Sequence, residues 1–298
     1  MTAGWFFSTK KGRRLLYGNG RCAPALLTNG TLIDKDWASF LGRLRNISVQ
    51  ISIDGARKET HDAIRGKGVF AKALRAVGLL QEAGLKDRIN FATTIMAQNF
   101  DELPDIIQLA KDKGVPSVRF LPLRRQGRAR SQWRDIGTVT TGQYERFFDF
   151  AGDGRLFCEP AVDVSCGLSG FLLDVSSDIS PDGIWCPVGF KLVVTPNGRA
   201  FPCALMQTEE FVLGNVFEEG LAVVMRSPAM RKTCGMLTER IRKIDDCAVC
   251  PFRNLCQAGC MGDALEDAST VWDKGRFCAY RKKLYEKVFC KLCAGESG

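Results

Sequence analysis

Cysteine placement constrains this chain more than any other feature. Of 13 cysteines in 298 residues, only Cys22 lies in the first half, and the rest fall between Cys158 and Cys293. That asymmetry marks two regions with different chemistry. The start, Met1 to Phe7, is soon interrupted by Lys10, Lys11, Arg13 and Arg14 and does not read as a signal peptide. No apolar run reaches the roughly 18–20 residues of a membrane helix, so the expected compartment is the cytoplasm, with no membrane partner. Thiols at this density in a reducing compartment read as metal ligands rather than disulfides. An odd count leaves at least one thiol unpaired under any disulfide scheme.

Composition narrows the chemistry further. An apolar fraction of 45% with 25% charged residues is that of an ordinary globular protein, which excludes wholesale disorder. The single histidine, His61, makes a Ser-His-Asp triad or a two-histidine zinc protease improbable. The 42 Lys+Arg against 33 Asp+Glu leave +9, but these charges are spread along the chain without an aromatic-rich RNA signature. No nucleic-acid partner is expected.

Between about Pro24 and Leu123, short β-rich runs alternate with amphipathic helices. Residues 25–28, 48–53, 90–95 and 117–121 read as strands, and 34–44, 69–83 and 101–113 as helices. The middle helix carries Phe70, Leu74, Val77 and Leu80 as an apolar stripe, with Gly84 as its stop. The spacing predicts βαβ units and a parallel sheet with a ligand site at the strands' carboxyl ends. Those ends include Ser52 and Asp54. Beyond Gly137 a helix over Thr140–Phe150 precedes a segment rich in glycine, proline and cysteine, then a β-hairpin over Lys191–Cys203 closed by Pro196, Asn197 and Gly198. A last helix is expected over Ala279–Phe289. The domain boundary is placed near 150–160, giving an unassigned segment 1–23, a first domain 24–150 and a cysteine-rich domain 151–298.

The strongest motif is Cys247-x2-Cys250-x5-Cys256-x3-Cys260, with Pro251 and Gly259 as turn formers. Upstream lies Cys186-x11-Gly198-x4-Cys203, and Cys278 follows Cys260 after seventeen residues. A mononuclear zinc site would use four of these seven thiols and leave three, whereas two iron–sulfur clusters need up to eight. The count favours two clusters.

This string, gap for gap, resembles the seven-cysteine signature of the SPASM domain, the auxiliary-cluster extension of radical S-adenosylmethionine (radical SAM) enzymes. Residues 26–33, 49–55 and 59–66 are similar to the middle strands of the radical SAM partial barrel, and 119–127 to its sixth strand. The resemblance covers about residues 24–290. It implies an α/β fold, a partial radical SAM β/α barrel followed by a small cysteine-rich α+β SPASM domain. The C-x3-C-x2-C loop that holds the family's catalytic cluster, and the Gly-Gly-Glu-Pro-like segment after its second strand, are absent from these residues. The chain begins about two strand–helix units late. It reads as an N-terminally incomplete maturase, or as a natural variant without the core motif.

The resemblance also implies site residues. One auxiliary cluster, expected to be [4Fe-4S], falls to Cys247, Cys250, Cys256 and Cys278, and the other to Cys186, Cys203 and Cys260. The second cluster's fourth ligand is either Cys166, upstream of Pro181 to Gly183, or an open iron position that binds substrate. Cys158, Cys234, Cys290 and Cys293 fall outside the signature and need no function. Ser52 and Asp54 stand where relatives contact S-adenosylmethionine, and a hydrogen-bonded strand-end turn is the equal alternative. His61 reads as a helix cap. Arg124, Arg125, Arg128, Arg130 and Arg134 read as a solvated loop or as a grip for an acidic peptide.

In the family, S-adenosylmethionine yields a radical that removes a hydrogen atom from substrate, and auxiliary clusters handle the electron. The resemblance thus implies a maturase that oxidatively modifies a peptide or peptide-derived cofactor precursor, with a peptide or small-molecule substrate and an external electron donor. Ala204 replaces the aspartate proposed as base in sulfatase-maturing relatives, which argues against that reaction. The alternatives are a non-catalytic iron–sulfur electron-transfer or scaffold protein and, further off, a zinc-binding nucleic-acid module.

Overall fold

The computed structural model describes residues 2–5, 23–133, 136, 139–152, 163–166, 186 and 188–293. Cys22, Cys158, Arg134, Pro181 to Gly183, and most of the boundary region at 150–160 lie outside the described residues. The chain divides into two compact units, Met1–Leu123 with Ser131–Gly170, and Arg124–Arg130 with Phe171–Gly298.

The first unit is built on a six-stranded sheet in which every neighbouring pair is parallel and the strands lie in chain order. They are β1 (Thr2–Trp5), β2 (Ala23–Thr28), β3 (Ser48–Ser52), β4 (Ile89–Ile95), β5 (Ser117–Pro122) and β6 (Asp163–Cys166). The helices α1 (Lys35–Gly42), α2 (Lys58–Arg65), α3 (Val69–Glu82), α4 (Leu103–Asp112) and α6 (Thr141–Gly152) follow the same order, while most of the short α5 (Arg128–Ser131) falls in the stretch that belongs to the second unit. Parallel neighbours need such crossovers, and these bury the sheet. Val49 and Ile51 of β3, Phe91 and Ile95 of β4, and Val118 and Phe120 of β5 are fully enclosed.

Local chemistry sets the boundaries. Asp34 caps α1 by accepting from the Trp37 N–H at 2.8 Å. Gly84 and Gly114, both at positive φ, end their helices as expected. The buried face of α3 differs from the stripe read in the sequence. Ala73, Ala76, Val77 and Leu80 are enclosed, while Phe70 and Leu74 are only half-buried. The reason is a close approach: a Cβ on Gly30, after β2, would lie 3.1 Å from the Ala76 Cβ, so the helix presents its smallest residues there. β1 and β6 were not anticipated as strands, and β6 carries the sheet past residue 160.

His61 is not a cap. It sits inside α2, fully buried, and its Nδ1 accepts from the Asp54 N–H at 3.2 Å. An imidazole accepting at Nδ1 in this way is neutral, with its proton on Nε2. Burial holds its pKa below the ordinary 6.5, against the pull of the Asp54 charge. In the unfolded chain this histidine protonates below about pH 6.5, so the unfolded state binds more protons and acid erodes stability. The melting temperature should fall between about pH 7 and pH 5. His61→Gln should flatten that slope, and an equal slope in both proteins would count against His61 as its source.

The second unit has its own core. β7 (Val193–Val194) and β8 (Arg199–Phe201) form the expected hairpin, and β9 (Gly214–Asn215) adds to it antiparallel. Gly198 in the turn has φ +87°, and a Cβ there would overlap the Asn215 side chain. The helices are α7 (Val216–Glu219), α8 (Leu221–Met225), α9 (Pro228–Lys243), α10 (Asp245–Ala248), α11 (Arg253–Cys256), α12 (Met261–Ala268) and α13 (Cys278–Cys293). Val188, Ala200, Met206, Phe211, Leu213, Val224, Met230 and Leu237 form the apolar centre. No helix among the described residues is long and apolar enough to cross a membrane.

Candidate functional site

The short helices α10 and α11 exist to turn thiols inward. The Cys250 N–H bonds back to the Cys247 carbonyl at 3.2 Å, Arg253 N–H to Cys250 at 3.1 Å, and Cys256 N–H to Phe252 at 2.8 Å. These tight turns, with the start of α13, bring Cys247, Cys250, Cys256 and Cys278 to the wall of one pocket. Phe252 packs against Tyr285 at 5.4 Å and stacks on Phe289 at 6.1 Å, which ties α13 to the Cys-x2-Cys turn. Arg281 and Tyr285 line the same pocket, and Arg281 Nη2 is buried with no hydrogen-bond partner among the described residues. Burial pushes the Cys247 thiol up to about 11, and the nearby Cys278 and Cys256 add to the rise.

Cys186, Cys203 and Cys260 form a second group. Burial raises Cys186 to about 11 and Cys203 to about 12, and each thiol also feels Cys260. Such thiols stay protonated unless a metal takes the proton's place. Cys234, on α9, stands with them: it packs on the same apolar centre as Cys186 and Cys203, and a Cβ on Gly189 would lie 3.1 Å from its sulfur. Cys166 is the last residue of β6 in the sheet of the first unit, paired in register with Phe120. Cys186, Cys203, Cys234, Cys247, Cys250, Cys256, Cys260 and Cys278, and Cys290 at the surface, are free thiols. Among the described residues no three Cys, His, Asp or Glu side chains converge on a single-ion geometry.

A buried arginine lies behind both groups. Arg240 of α9 is fully enclosed, and its guanidinium donates to the carbonyls of Gly259 at 2.8 Å, Ala258 at 3.0 Å, Val271 at 2.6 Å and Asp273 at 2.6 Å. Sequence reasoning missed Arg240 and Arg281, and it set Cys234 aside as outside the signature. On a helical wheel an arginine among Glu239, Arg242 and Lys243 gives no sign that it points inward.

In the first unit, Ser52 ends β3 half-buried, and Asp54 is 2% exposed. Both Asp54 carboxylate oxygens are engaged: Oδ2 accepts from Arg65 Nε at 2.5 Å and Oδ1 from the Thr94 N–H at 2.8 Å. Asn99 donates to its carbonyl at 2.9 Å. Asp54 thus fixes the end of β3. Of the arginine run, Arg124 pairs with Asp263 and lies 5.5 Å over the Phe277 ring, so it is committed to the protein.

Comparison with known proteins supplies the context. Residues 9–110 match the radical SAM superfamily and residues 186–251 the SPASM family, an iron-sulfur cluster-binding domain. The mycofactocin maturase MftC of Mycolicibacterium smegmatis is 30% identical over 241 residues, 78% of this chain and 57% of that protein. A cysteine-type anaerobic sulfatase-maturating enzyme of Clostridium novyi is 24% identical over 90% of this chain and 71% of its own length. The chain spans less than two thirds of the mycofactocin maturases, 57% and 61% of the two first matched. Among solved structures, native anSMEcpe with bound AdoMet and Kp18Cys peptide superposes with a TM-score of 0.72 at 21% identity, over 98% of this chain and 85% of that one. Streptococcus suis SuiB bound to S-adenosylmethionine gives 0.72 at 14% identity, over 93% of this chain and 66% of that one. These structural likenesses establish the fold, a partial barrel followed by the cluster domain. The chain belongs to the radical SAM superfamily, and its second unit carries a SPASM iron–sulfur cluster-binding domain.

Proposed function

We propose that the second unit holds two auxiliary iron–sulfur clusters, one on Cys247, Cys250, Cys256 and Cys278 and the other on Cys186, Cys203 and Cys260. They handle electrons in the oxidative modification of a peptide or peptide-derived cofactor precursor. One observation carries this reading: four thiols line a pocket with a buried guanidinium whose Nη2 has no hydrogen-bond partner among the described residues. The residues fit a cluster, because its sulfides and thiolates offer the acceptors that Arg281 lacks. The bound clusters would supply one-electron redox chemistry. The aromatic rings of Phe252 and Tyr285, both in the pocket wall, would keep water off the sulfur atoms, and deprotonated thiolates would replace the neutral thiols on assembly.

A peptide substrate is supported by the maturase names of the relatives and by the peptide in the anSMEcpe structure. In the first unit we assign Ser52 to the S-adenosylmethionine side of the sheet, with Asp54 as the residue that positions the strand end. An external donor would supply electrons, and the cytoplasm is the proposed compartment. The C-x3-C-x2-C spacing does not occur in these 298 residues, and the proposal therefore concerns the clusters that the second unit would hold.

Anaerobic iron, sulfide and zinc analysis with the visible spectrum tests this. About eight irons per chain with matching sulfide are expected after reconstitution. Reduction in the presence of S-adenosylmethionine should release no 5′-deoxyadenosine. Stoichiometric zinc without charge-transfer absorbance would overturn the cluster reading and move a nucleic-acid role to first place.

A further inference from the structure

Residues 256–260 carry the chain from one thiol group to the other, and two buried arginines hold that crossing. Arg240 donates to the carbonyls of Ala258 and Gly259, the residues between Cys256 and Cys260. Its remaining bonds go to the carbonyls of Val271 and Asp273, on the segment that leads to Cys278. Arg281, 4% exposed, packs against the same crossing, since a Cβ on Gly259 would overlap its guanidinium. Its Nε donates to the Phe277 carbonyl at 3.3 Å.

Among the described residues, every hydrogen-bond acceptor found for these two side chains is a neutral carbonyl. Carbonyl dipoles satisfy N–H donors, but they do not cancel a net charge, and a guanidinium taken out of water without a counter-charge is costly. Two such cations in one small unit therefore mark where buried negative charge belongs. The Arg240 charge acts on Cys186 and on Cys247, one thiol from each group. A cluster with its thiolates is anionic and gains a further negative charge on reduction, so a nearby fixed cation favours the reduced form.

We propose that Arg240 and Arg281 are a shared, buried counter-charge that raises the reduction potentials of the two clusters and so poises them to accept electrons. Arg240 acts on both, and Arg281 chiefly on the cluster of Cys247, Cys250, Cys256 and Cys278. The inference rests on the ligand groups proposed above.

The test is a potentiometric titration of the reconstituted full chain, followed by electron paramagnetic resonance, for Arg240→Gln, Arg240→Lys and Arg281→Gln. At full iron and sulfide, Arg240→Gln should shift both cluster signals to lower potential, and the charge-keeping Arg240→Lys should leave both near their starting values. Arg281→Gln should lower one signal more than the other. Loss of iron in Arg240→Gln with retention in Arg240→Lys would equally show that the charge is required. Unchanged potentials in a fully loaded Arg240→Gln would overturn the proposal, as would a shift of one signal alone. Equal losses or equal shifts in the Gln and Lys variants would reduce Arg240 to a hydrogen-bonding scaffold and also overturn it. Failure of the ligand assignment shows differently: the unsubstituted chain would take up no iron, or would keep all of it in Cys250→Ala.

Discussion

Cys250→Ala is expected to remove about half the iron and sulfide of the reconstituted chain, about four of about eight irons, and Cys203→Ala about the other half. The two losses separate because the thiols belong to different walls. Cys250 lines the pocket closed by α13, whereas Cys203 follows β8 and packs on the apolar centre with Cys186. The stability cost should also differ. Metal binding that fixes a site contributes folding energy, so the group embedded in the apolar centre should lower the unit's melting temperature more when its cluster is lost. Iron and sulfide assays, the visible spectrum and a thermal melt of each variant check this. Complete iron loss in both variants would point to one shared centre and would dismantle the two-group assignment.

Much of this architecture is written locally. Gly84 and Gly114 stop helices because their positive φ favours a residue without a Cβ, and Pro196, Asn197 and Gly198 close the hairpin where the turn chemistry says they should. The C-x2-C-x5-C spacing is legible as a ligand set because tight turns at Cys250 and Cys256 follow from so short a segment. What escapes the sequence is decided by partners far along the chain. The edge strands β1 and β6 have four residues each, and pairing with β2 and β5 defines them more than any periodicity of their own. Ala73 and Ala76 become the contact face of α3 only because Gly30 comes close. The Asp54 carboxylate is held by Arg65 and Thr94, 11 and 40 residues away, and no local pattern names those partners. Arg240 depends on carbonyls 18 to 33 residues downstream.

Gly259→Ala should be among the most damaging single-methyl substitutions in the second unit. Gln257, Ala258 and Gly259 lie in succession at φ +50°, +60° and +69°, a left-handed run that only a strongly determined loop sustains. An alanine at 259 adds backbone strain of about 1 kcal/mol. It also drives a methyl into the Arg281 guanidinium, an overpacking cost of about 1–3 kcal/mol. Together these should lower the melting temperature by roughly 10 °C and weaken iron binding at Cys256 and Cys260, the thiols that flank the run. Gly275 supplies the control: its φ is +66°, yet a Cβ there would meet the nearest atom at an ordinary 3.5 Å. Gly275→Ala should therefore show the strain without the clash and cost about 1 kcal/mol. Adding Arg281→Ala to Gly259→Ala should restore the overpacking share and leave the strain, a coupling that a double-mutant cycle on chemical denaturation reads directly. If the two glycine variants lose the same stability, the glycine at 259 serves the backbone alone and the arginine does not require it.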